Sequence, residues 1–289
     1  MFTEESSQQL TPLSEEHADP PATVQAAAVQ PGPTPEQIDW WLPWFEVVKA
    51  VVVWVVSVLL LLFVPVFVSL PYMIYKVATS GAPSAEAIQA DKTLLFLSVL
   101  GIIPTHVLTL FVTWMIVSES RKRPFWKTIG FEWPETPDKR IVALLSIVLA
   151  LGLLGVAWLA TYLYGGEKTQ LDLLIESSLA ARFATAFVAF ATAPLVEEVI
   201  YRGVLYPAIE KAAGVAVAIA VVSLLFAGVH VFQYYNNVSV IIAITVLSFT
   251  LTVSRALTGK MLPAFIIHLV FNGVQSVFLA LAPFIEKSL

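Results

Sequence analysis

Long apolar runs separated by short polar stretches dominate the chain after residue 46. A helix needs about 20 apolar residues to cross the hydrocarbon core of a bilayer. Seven runs reach or approach that length, so the pattern predicts an all-α, polytopic integral membrane bundle of about seven to eight transmembrane helices. The predicted spans are residues 47–75, 93–117, 141–164, 179–213, 215–232, 238–257 and 261–284.

Residues 1–39 differ from the rest of the chain. They are rich in Pro, Glu, Gln, Ala and Ser, and their only aromatic residue is Phe2. Such a composition cannot bury enough apolar surface to offset the chain entropy, so we predict a disordered acidic tail. The remaining chain is divided into N-terminal transmembrane helices at 40–176, with a basic loop at 118–140, and a membrane core at 177–283 that holds most polar residues at membrane depth.

The composition supports the membrane class and limits the chemistry. The chain is 58% hydrophobic and 13% charged, whereas soluble domains contain about 25% charged residues. The net charge of −5 comes from residues 1–46, which contain eight acidic residues and no Lys or Arg. This distribution favours no nucleic-acid partner. Because the chain has no cysteine, thiol catalysis, thiolate metal sites and disulfides are excluded.

The positions of Lys and Arg predict the orientation in the membrane, because cytoplasmic loops carry an excess of both. The loop after the second span is the most basic, so we place it and the N-terminal tail in the cytoplasm. Its basic residues are Arg121, Lys122, Arg123, Lys127, Lys139 and Arg140. The stretches 76–92 and 233–237 then lie outside, and Lys211, Arg255 and Lys260 lie inside.

The fourth apolar run contains two carboxylates and a guanidinium, namely Glu197, Glu198 and Arg202. Each charge at bilayer depth costs about 2.5–3.5 kcal/mol on insertion scales, so such a cluster needs a partner or a use. Glu198 and Arg202 are four residues apart on a helix, and we predict an ion pair between them. Glu197 is turned by about 100° and has no cation at a matching offset. We therefore interpret Glu197 as a functional residue.

Two later runs each place a polar pair on one helix face. Phe226 and His230 are four residues apart, as are His268 and Asn272. In lipid, such faces should point into the bundle. We expect three helices to bring together one unpaired carboxylate, two imidazoles and a carboxamide. His106, in the second span, has no motif around it and is expected simply to face the bundle, while Gln275 is a further candidate for the same cavity.

This set of groups suits hydrolysis by an activated water. A carboxylate in a low-dielectric pocket can act as general base, a neighbouring histidine can hold the same water, and a second histidine with an amide can donate to an oxyanion. The intramembrane serines lie in no nucleophile-elbow pattern. Glu197, His230 and His268 could also hold Zn²⁺, although the usual H-E-x-x-H pattern is absent. Both metal-free and zinc-assisted activation stay open.

Three motifs in order on successive apolar runs resemble those of the CAAX protease and bacteriocin-processing family, also called CPBP or ABI. The resemblance covers residues 177–283. The motifs are Glu197-Glu198-x-x-x-Arg202, Phe226-x-x-x-His230 and His268-x-x-x-Asn272. The resemblance implies an intramembrane endopeptidase in a bacterial plasma membrane. Its substrate would be a membrane-embedded or lipid-anchored protein or peptide, with CAAX-type cleavage or bacteriocin and leader processing as the candidate reactions.

The resemblance also implies roles for these positions. Glu197 would activate water with help from His230, and His268 with Asn272 would form the oxyanion site. The supporting residues would be Glu198 and Arg202 as a structural pair and Phe226 at the substrate pocket. The family's older label is metalloprotease, which leaves the metal question open.

Three functions compete for the same residues. The first is an endopeptidase that acts near the cytoplasmic face, and it is favoured because the histidines and the Asn supply donors for an oxyanion. The second is a membrane transporter or proton relay that uses the buried Glu and His residues. The third is a catalytically idle immunity or scaffold protein. A transporter would more often show repeated halves with broken helices, and no such repeat is visible here.

Overall fold

The computed structural model describes residues 42–135, 138–165 and 170–285, so the predicted disorder of residues 1–39 concerns residues outside this range. The described residues form helices and loops and contain no strand. This confirms an all-α fold. The helices are α1 (Leu42–Ser80), α2 (Ala85–Gln89), α3 (Lys92–Val117), α4 (Phe125–Thr128), α5 (Lys139–Tyr164), α6 (Gln170–Ser177), α7 (Leu179–Phe187), α8 (Ala193–Glu198), α9 (Tyr206–Ala213), α10 (Val215–Tyr234), α11 (Val238–Thr258) and α12 (Leu262–Ile285).

The helix lengths confirm a polytopic membrane bundle. Within the described residues, six helices are long and apolar enough to cross a membrane, and they match six of the seven predicted spans. These helices are Leu42–Ser80, Lys92–Val117, Lys139–Tyr164, Leu179–Ala213, Val238–Thr258 and Leu262–Ile285. The remaining predicted span forms α10, whose apolar part, Val215–Val231, is shorter.

Large apolar side chains cover the outside of the bundle. Phe67 on α1 is 67% exposed, and Leu145 on α5 is 62% exposed. Exposed apolar surface on this scale would be unstable in water and is typical of a membrane-facing surface. The polar residues at membrane depth lie inside instead, where Glu198 and Arg202 are completely buried.

Capping residues define several helix ends. The side chains of Asp91, Asp138 and Ser178 accept hydrogen bonds from the first turns of α3, α5 and α7. Such caps satisfy backbone N–H groups that have no partner within the helix. Gly214 and Gly259 follow α9 and α11 with φ angles of 85° and 65°, which a residue with a side chain rarely adopts.

The fourth predicted span is one continuous helical segment, Leu179–Ala213, that changes pitch twice. The stretches Val188–Thr192 and Val199–Leu205 are π-helical, and they flank α8 on both sides. A π-helical turn re-aims side chains and is frequent at functional sites. All three charged residues of the first motif lie in α8 or in the second π-helical stretch.

The helices that precede the three motifs include α1 and α3. These two helices pack closely against each other, and they reach the region of the bundle where the motif residues lie. A Cβ atom on Gly101 of α3 would lie 2.6 Å from Cα of Pro65 on α1, so only glycine allows this approach. α1 also contacts α9 and the second π-helical stretch. The division of the membrane region into parts at residue 177 stays a prediction, but helices from both parts surround the polar cluster.

Candidate active site

The predicted ion pair between Glu198 and Arg202 is present and completely buried. Arg202 Nη1 lies 3.0 Å from Glu198 Oε1, and neither side chain is exposed. Burying two charges is costly unless the geometry is good and further hydrogen bonds satisfy both groups. The surroundings of Arg202 meet that requirement.

Arg202 is held by α11 and by an aromatic ring. Its Nη2 donates to the Ser248 carbonyl at 2.8 Å and to the Ser248 hydroxyl at 3.1 Å. Its Nε donates to the Thr252 hydroxyl at 3.3 Å. The guanidinium carbon lies 4.8 Å from the ring centre of Phe226, within the range of a cation–π contact. These bonds make Arg202 a fixed link between α8, α10 and α11.

His268 lies between the two carboxylates. Its Nδ1 is 2.9 Å from Oε1 of Glu198, and its Nε2 is 3.6 Å from Oε2 of Glu197. A carboxylate only accepts, so Nδ1 carries the proton in this bond, and Nε2 is protonated only when the ring is charged. The partner that Glu197 lacks on its own helix is therefore supplied by α12, although at a distance longer than a hydrogen bond.

Phe226 and His230 form the aromatic pair expected from their spacing. Their ring centres are 4.8 Å apart with an interplanar angle of 28°. Phe226 is 2% exposed and also packs edge-on against His268 at 6.0 Å. His230 Nδ1 lies 2.8 Å from the Phe226 carbonyl oxygen, so Nδ1 donates. In the neutral ring, Nε2 of His230 is then an acceptor.

Asn272 is positioned by the first π-helical stretch. Its Nδ2 donates to the Ala189 carbonyl at 3.0 Å. In this π-helical stretch each N–H bonds to the carbonyl five residues earlier, as the N–H of Ala193 does to Val188. The Ala189 carbonyl would be paired with residue 194 in the same way, but Pro194 has no N–H. The carbonyl released by Pro194 thus fixes one amide hydrogen of Asn272 and leaves the other for a ligand.

Two cavities meet at Glu197 in the part of the chain that the structure describes. The larger, of about 410 Å³, is lined by Glu197, His230, His268 and Asn272, and Gln275 lines it as the sequence suggested. The smaller, of about 190 Å³, lies on the side of α1 and α3 and is also lined by Glu197 and His230. Glu197 and His230 therefore stand between the two cavities, and the Glu197 side chain is 24% exposed.

The smaller cavity contains a residue that the sequence did not mark as functional. His106 of α3 lines it, together with Tyr201 and Thr109. His106 Nδ1 lies 2.8 Å from the Thr192 hydroxyl, which itself donates to the carbonyl of Val188. Nδ1 of His106 is therefore the donor, and its Nε2 is an acceptor in the neutral ring. His106 and Glu197 thus line the same cavity.

The geometry does not provide three ligands for a metal. Glu197 and His268 approach each other, but no group of three His, Asp or Glu side chains among the described residues lies close enough to hold an ion. The zinc set Glu197, His230 and His268 thus does not fit a three-ligand site in this arrangement.

These features define a class of protein: a helical membrane bundle with carboxylates, imidazoles and an amide around an internal cavity. Within the chain, residues 179–274 match the family model described as Type II CAAX prenyl endopeptidase Rce1-like, which is a protease family. The match contains all residues of the three motifs and confirms the resemblance found in the sequence. No curated protein and no solved structure matches the chain.

Proposed function

We propose that the protein is an intramembrane endopeptidase that hydrolyses peptide bonds of membrane-associated proteins or peptides with a water activated by Glu197. The observation that carries this proposal is the position of Glu197, a partly exposed carboxylate at the junction of two cavities with no cation at a matching offset on its own helix. The match of residues 179–274 to a protease family supports the same reaction class.

The proposed reaction uses groups that already face the larger cavity. Glu197 accepts a proton from water while the water oxygen attacks the carbonyl carbon of the peptide bond. The resulting oxyanion accepts hydrogen bonds from the second amide hydrogen of Asn272 and from Nε2 of His268 in its charged form. When the C–N bond breaks, Glu197 returns the proton to the leaving nitrogen.

His230 is the second group proposed to hold the attacking water. Because its Nδ1 is committed to the Phe226 carbonyl, Nε2 presents a lone pair beside Glu197. A water can then donate one hydrogen to the carboxylate and the other to the imidazole, which directs its oxygen lone pair towards a substrate carbonyl. Phe226 keeps the imidazole ring in place by stacking on it.

The smaller cavity would supply and orient this water. Its volume of about 190 Å³ exceeds the space that a single water needs. His106 Nε2 accepts there, while the Tyr201 hydroxyl accepts from Trp54 at 3.1 Å and keeps its own hydrogen for a water. A site with both donors and acceptors can satisfy a bound water, so water can wait next to Glu197 without crossing the substrate's path.

Replacing His106 by Ala tests this water site. We expect kcat to fall about tenfold, because a lost hydrogen bond of about 1.4 kcal/mol corresponds to that factor. KM should stay unchanged, because His106 lies outside the larger cavity in which the substrate is proposed to bind. His106→Gln keeps an acceptor and should recover part of the rate. Unchanged kcat in H106A, at wild-type melting temperature, would show that the histidine only fills space.

Removal of metal ions tests the activation mechanism. We expect treatment with a strong chelator to leave the cleavage rate unchanged, because the described ligands do not form a three-ligand site. The measurement is the initial rate before and after dialysis against chelator, with the chelator then removed and Zn²⁺ restored. A rate that falls on chelation and returns only with Zn²⁺ contradicts activation by Glu197 alone.

The proposed function itself is tested by cleavage with the purified protein. Fluorogenic peptides and membrane extracts are incubated with the wild-type chain and with the Glu197→Gln variant, and the products are identified by mass spectrometry. Cleavage by the wild type alone supports the protease. Proton flux in liposomes that depends on Glu197, without any cleavage, would support a transporter instead.

A further inference from the structure

The larger cavity extends from Glu197 towards one end of the bundle. Besides the catalytic candidates, it is lined by residues at the ends of three helices: Thr161 in the last turn of α5, Tyr234 at the end of α10, and Ser239 at the start of α11. Leu279, in the second half of α12, lines the same side. The cavity mouth therefore lies at the end of the bundle where α5 and α10 finish.

The basic loop between α3 and α5 lies at the opposite end. α5 begins at Lys139, directly after this loop, so Thr161 lies at the far end of the same helix. α12 begins next to the loop as well, because Met261 donates its backbone N–H to the Gly130 carbonyl at 2.8 Å and Lys260 pairs with Glu132 at 2.7 Å. Leu279 is thus on the far side of α12 from the loop.

The charges at the two ends differ strongly. The basic end carries exposed cations that include Arg121, Lys122, Lys127 and Arg140. At the mouth end the described cations are fewer: Lys76 is paired with Asp91, Lys92 begins α3, and Arg182 donates to the Leu279 carbonyl. An excess of Lys and Arg in short loops marks the cytoplasmic face of a membrane protein.

We infer that the catalytic cavity opens to the extracytoplasmic face, and that its substrates are peptide segments of membrane proteins exposed at that face. This inference rests on the proposed function. It differs from the expectation of action near the cytoplasmic face, because the sequence does not show which helix ends line the cavity. The residues at the mouth determine from which face of the membrane a substrate enters. They belong to helix ends that are far apart in the sequence.

The mouth also indicates the kind of segment that fits. Thr161, Tyr234, Ser239 and Gln275 line it with hydroxyl and amide groups. The Thr161 and Ser239 hydroxyls already donate to groups within the chain. Their oxygens, like the side-chain oxygen of Gln275, can still accept from the backbone N–H groups of an extended peptide without selecting a charge. Deeper in the cavity, Leu247 and Phe271 present apolar walls next to Glu197. A segment in extended conformation, uncharged near the cleaved bond, matches these walls.

Single cysteines give a direct test, since the natural chain has none. Thr161→Cys at the mouth and Gln275→Cys in the cavity are both exposed positions, and Lys122→Cys in the basic loop is the matched control. Each variant is produced in a bacterial host and treated with a membrane-impermeant maleimide before and after the cells are permeabilised. We expect T161C and Q275C to be labelled in intact cells and K122C to be labelled only after permeabilisation.

The reverse pattern, with K122C labelled in intact cells and T161C protected, would overturn the inference, as would labelling of Q275C only from the basic side. Labelling does not depend on proteolysis, so it separates this inference from the proposed function.

In a second arm, an impermeant fluorogenic peptide is added to the outside or sealed inside liposomes of known protein orientation. Cleavage only on the face that carries Thr161 supports the inference, and cleavage only on the face that carries Lys122 contradicts it. If the labelling is as expected and neither face shows cleavage, the proposed function fails while the access route stands.

Discussion

Replacement of Glu197 by Gln is expected to abolish nearly all peptide-bond cleavage while leaving the fold intact. The amide cannot accept the proton of the attacking water, and a general base contributes about 10²–10⁴-fold to such a reaction. The carboxylate is 24% exposed, and its contact with His268 Nε2, at 3.6 Å, is longer than a hydrogen bond, so the fold gains little from its charge. We therefore expect kcat to fall by about 10²–10⁴-fold at an unchanged melting temperature.

Glu198→Gln is the matched control, because it makes the same chemical change one residue further along the chain. Glu198 is completely buried and is bonded to both Arg202 and His268. The amide would leave Arg202 without its counter-charge, so E198Q should lower the melting temperature as well as the activity. A loss of activity at constant stability should therefore be specific to E197Q.

Two measurements would contradict this role of Glu197. One is cleavage by E197Q at a rate close to that of the wild type. The other is a melting temperature of E197Q as low as that of E198Q, which would make Glu197 a structural residue. Glu197→Asp refines the outcome, since it keeps the base but withdraws it by one methylene, and an intermediate rate is expected from the loss of geometry.

The pairings within one helix could be predicted from the sequence, because helical spacing determines them. Glu198 with Arg202 and Phe226 with His230 are both four residues apart, and both contacts are present. The high cost of charge in lipid also indicated that Glu197 needed a use. The roles assigned to His230, His268 and Asn272 stay predictions, although the structure brings all three to the cavity that Glu197 lines.

The contacts between helices could not be predicted, because they depend on how the helices are rotated and shifted against one another. The Ser248 and Thr252 side chains that hold Arg202 have no motif in the sequence. His106 was interpreted as an ordinary bundle residue, yet it lines a cavity with Glu197. The signals for the π-helical stretches were Pro194 and Pro207, each of which lies two residues after the end of one stretch.

The second large effect is expected from Arg202. Replacing it by Met should destabilise the protein by about 3–5 kcal/mol, the usual cost of removing one partner from a buried ion pair. Glu198 would then remain as a buried carboxylate held only by His268, with its other oxygen already without a partner among the described residues. The measurement is the free energy of unfolding in detergent, obtained by chemical denaturation of the wild type and the variant.

A double variant separates the charge effect from the packing effect. Glu198→Gln combined with Arg202→Met removes both charges and keeps an acceptor for His268. Thr252 still donates to the Ser248 carbonyl at 2.8 Å, so that carbonyl does not lose its last partner with the guanidinium. Replacing both members of a buried pair by groups of similar size is often neutral. The double variant should therefore regain most of the stability that R202M loses.

Lys260→Met provides the exposed control, since it breaks the pair with Glu132, whose side chains are 28% and 38% exposed. Water solvates both groups there, and such pairs contribute little to stability, so little change is expected. If R202M were no more destabilising than K260M, the buried pair would not be holding α8 against α11. If the double variant were as unstable as R202M, the stability would come from the bonds of Arg202 to Ser248 and Thr252 rather than from its charge.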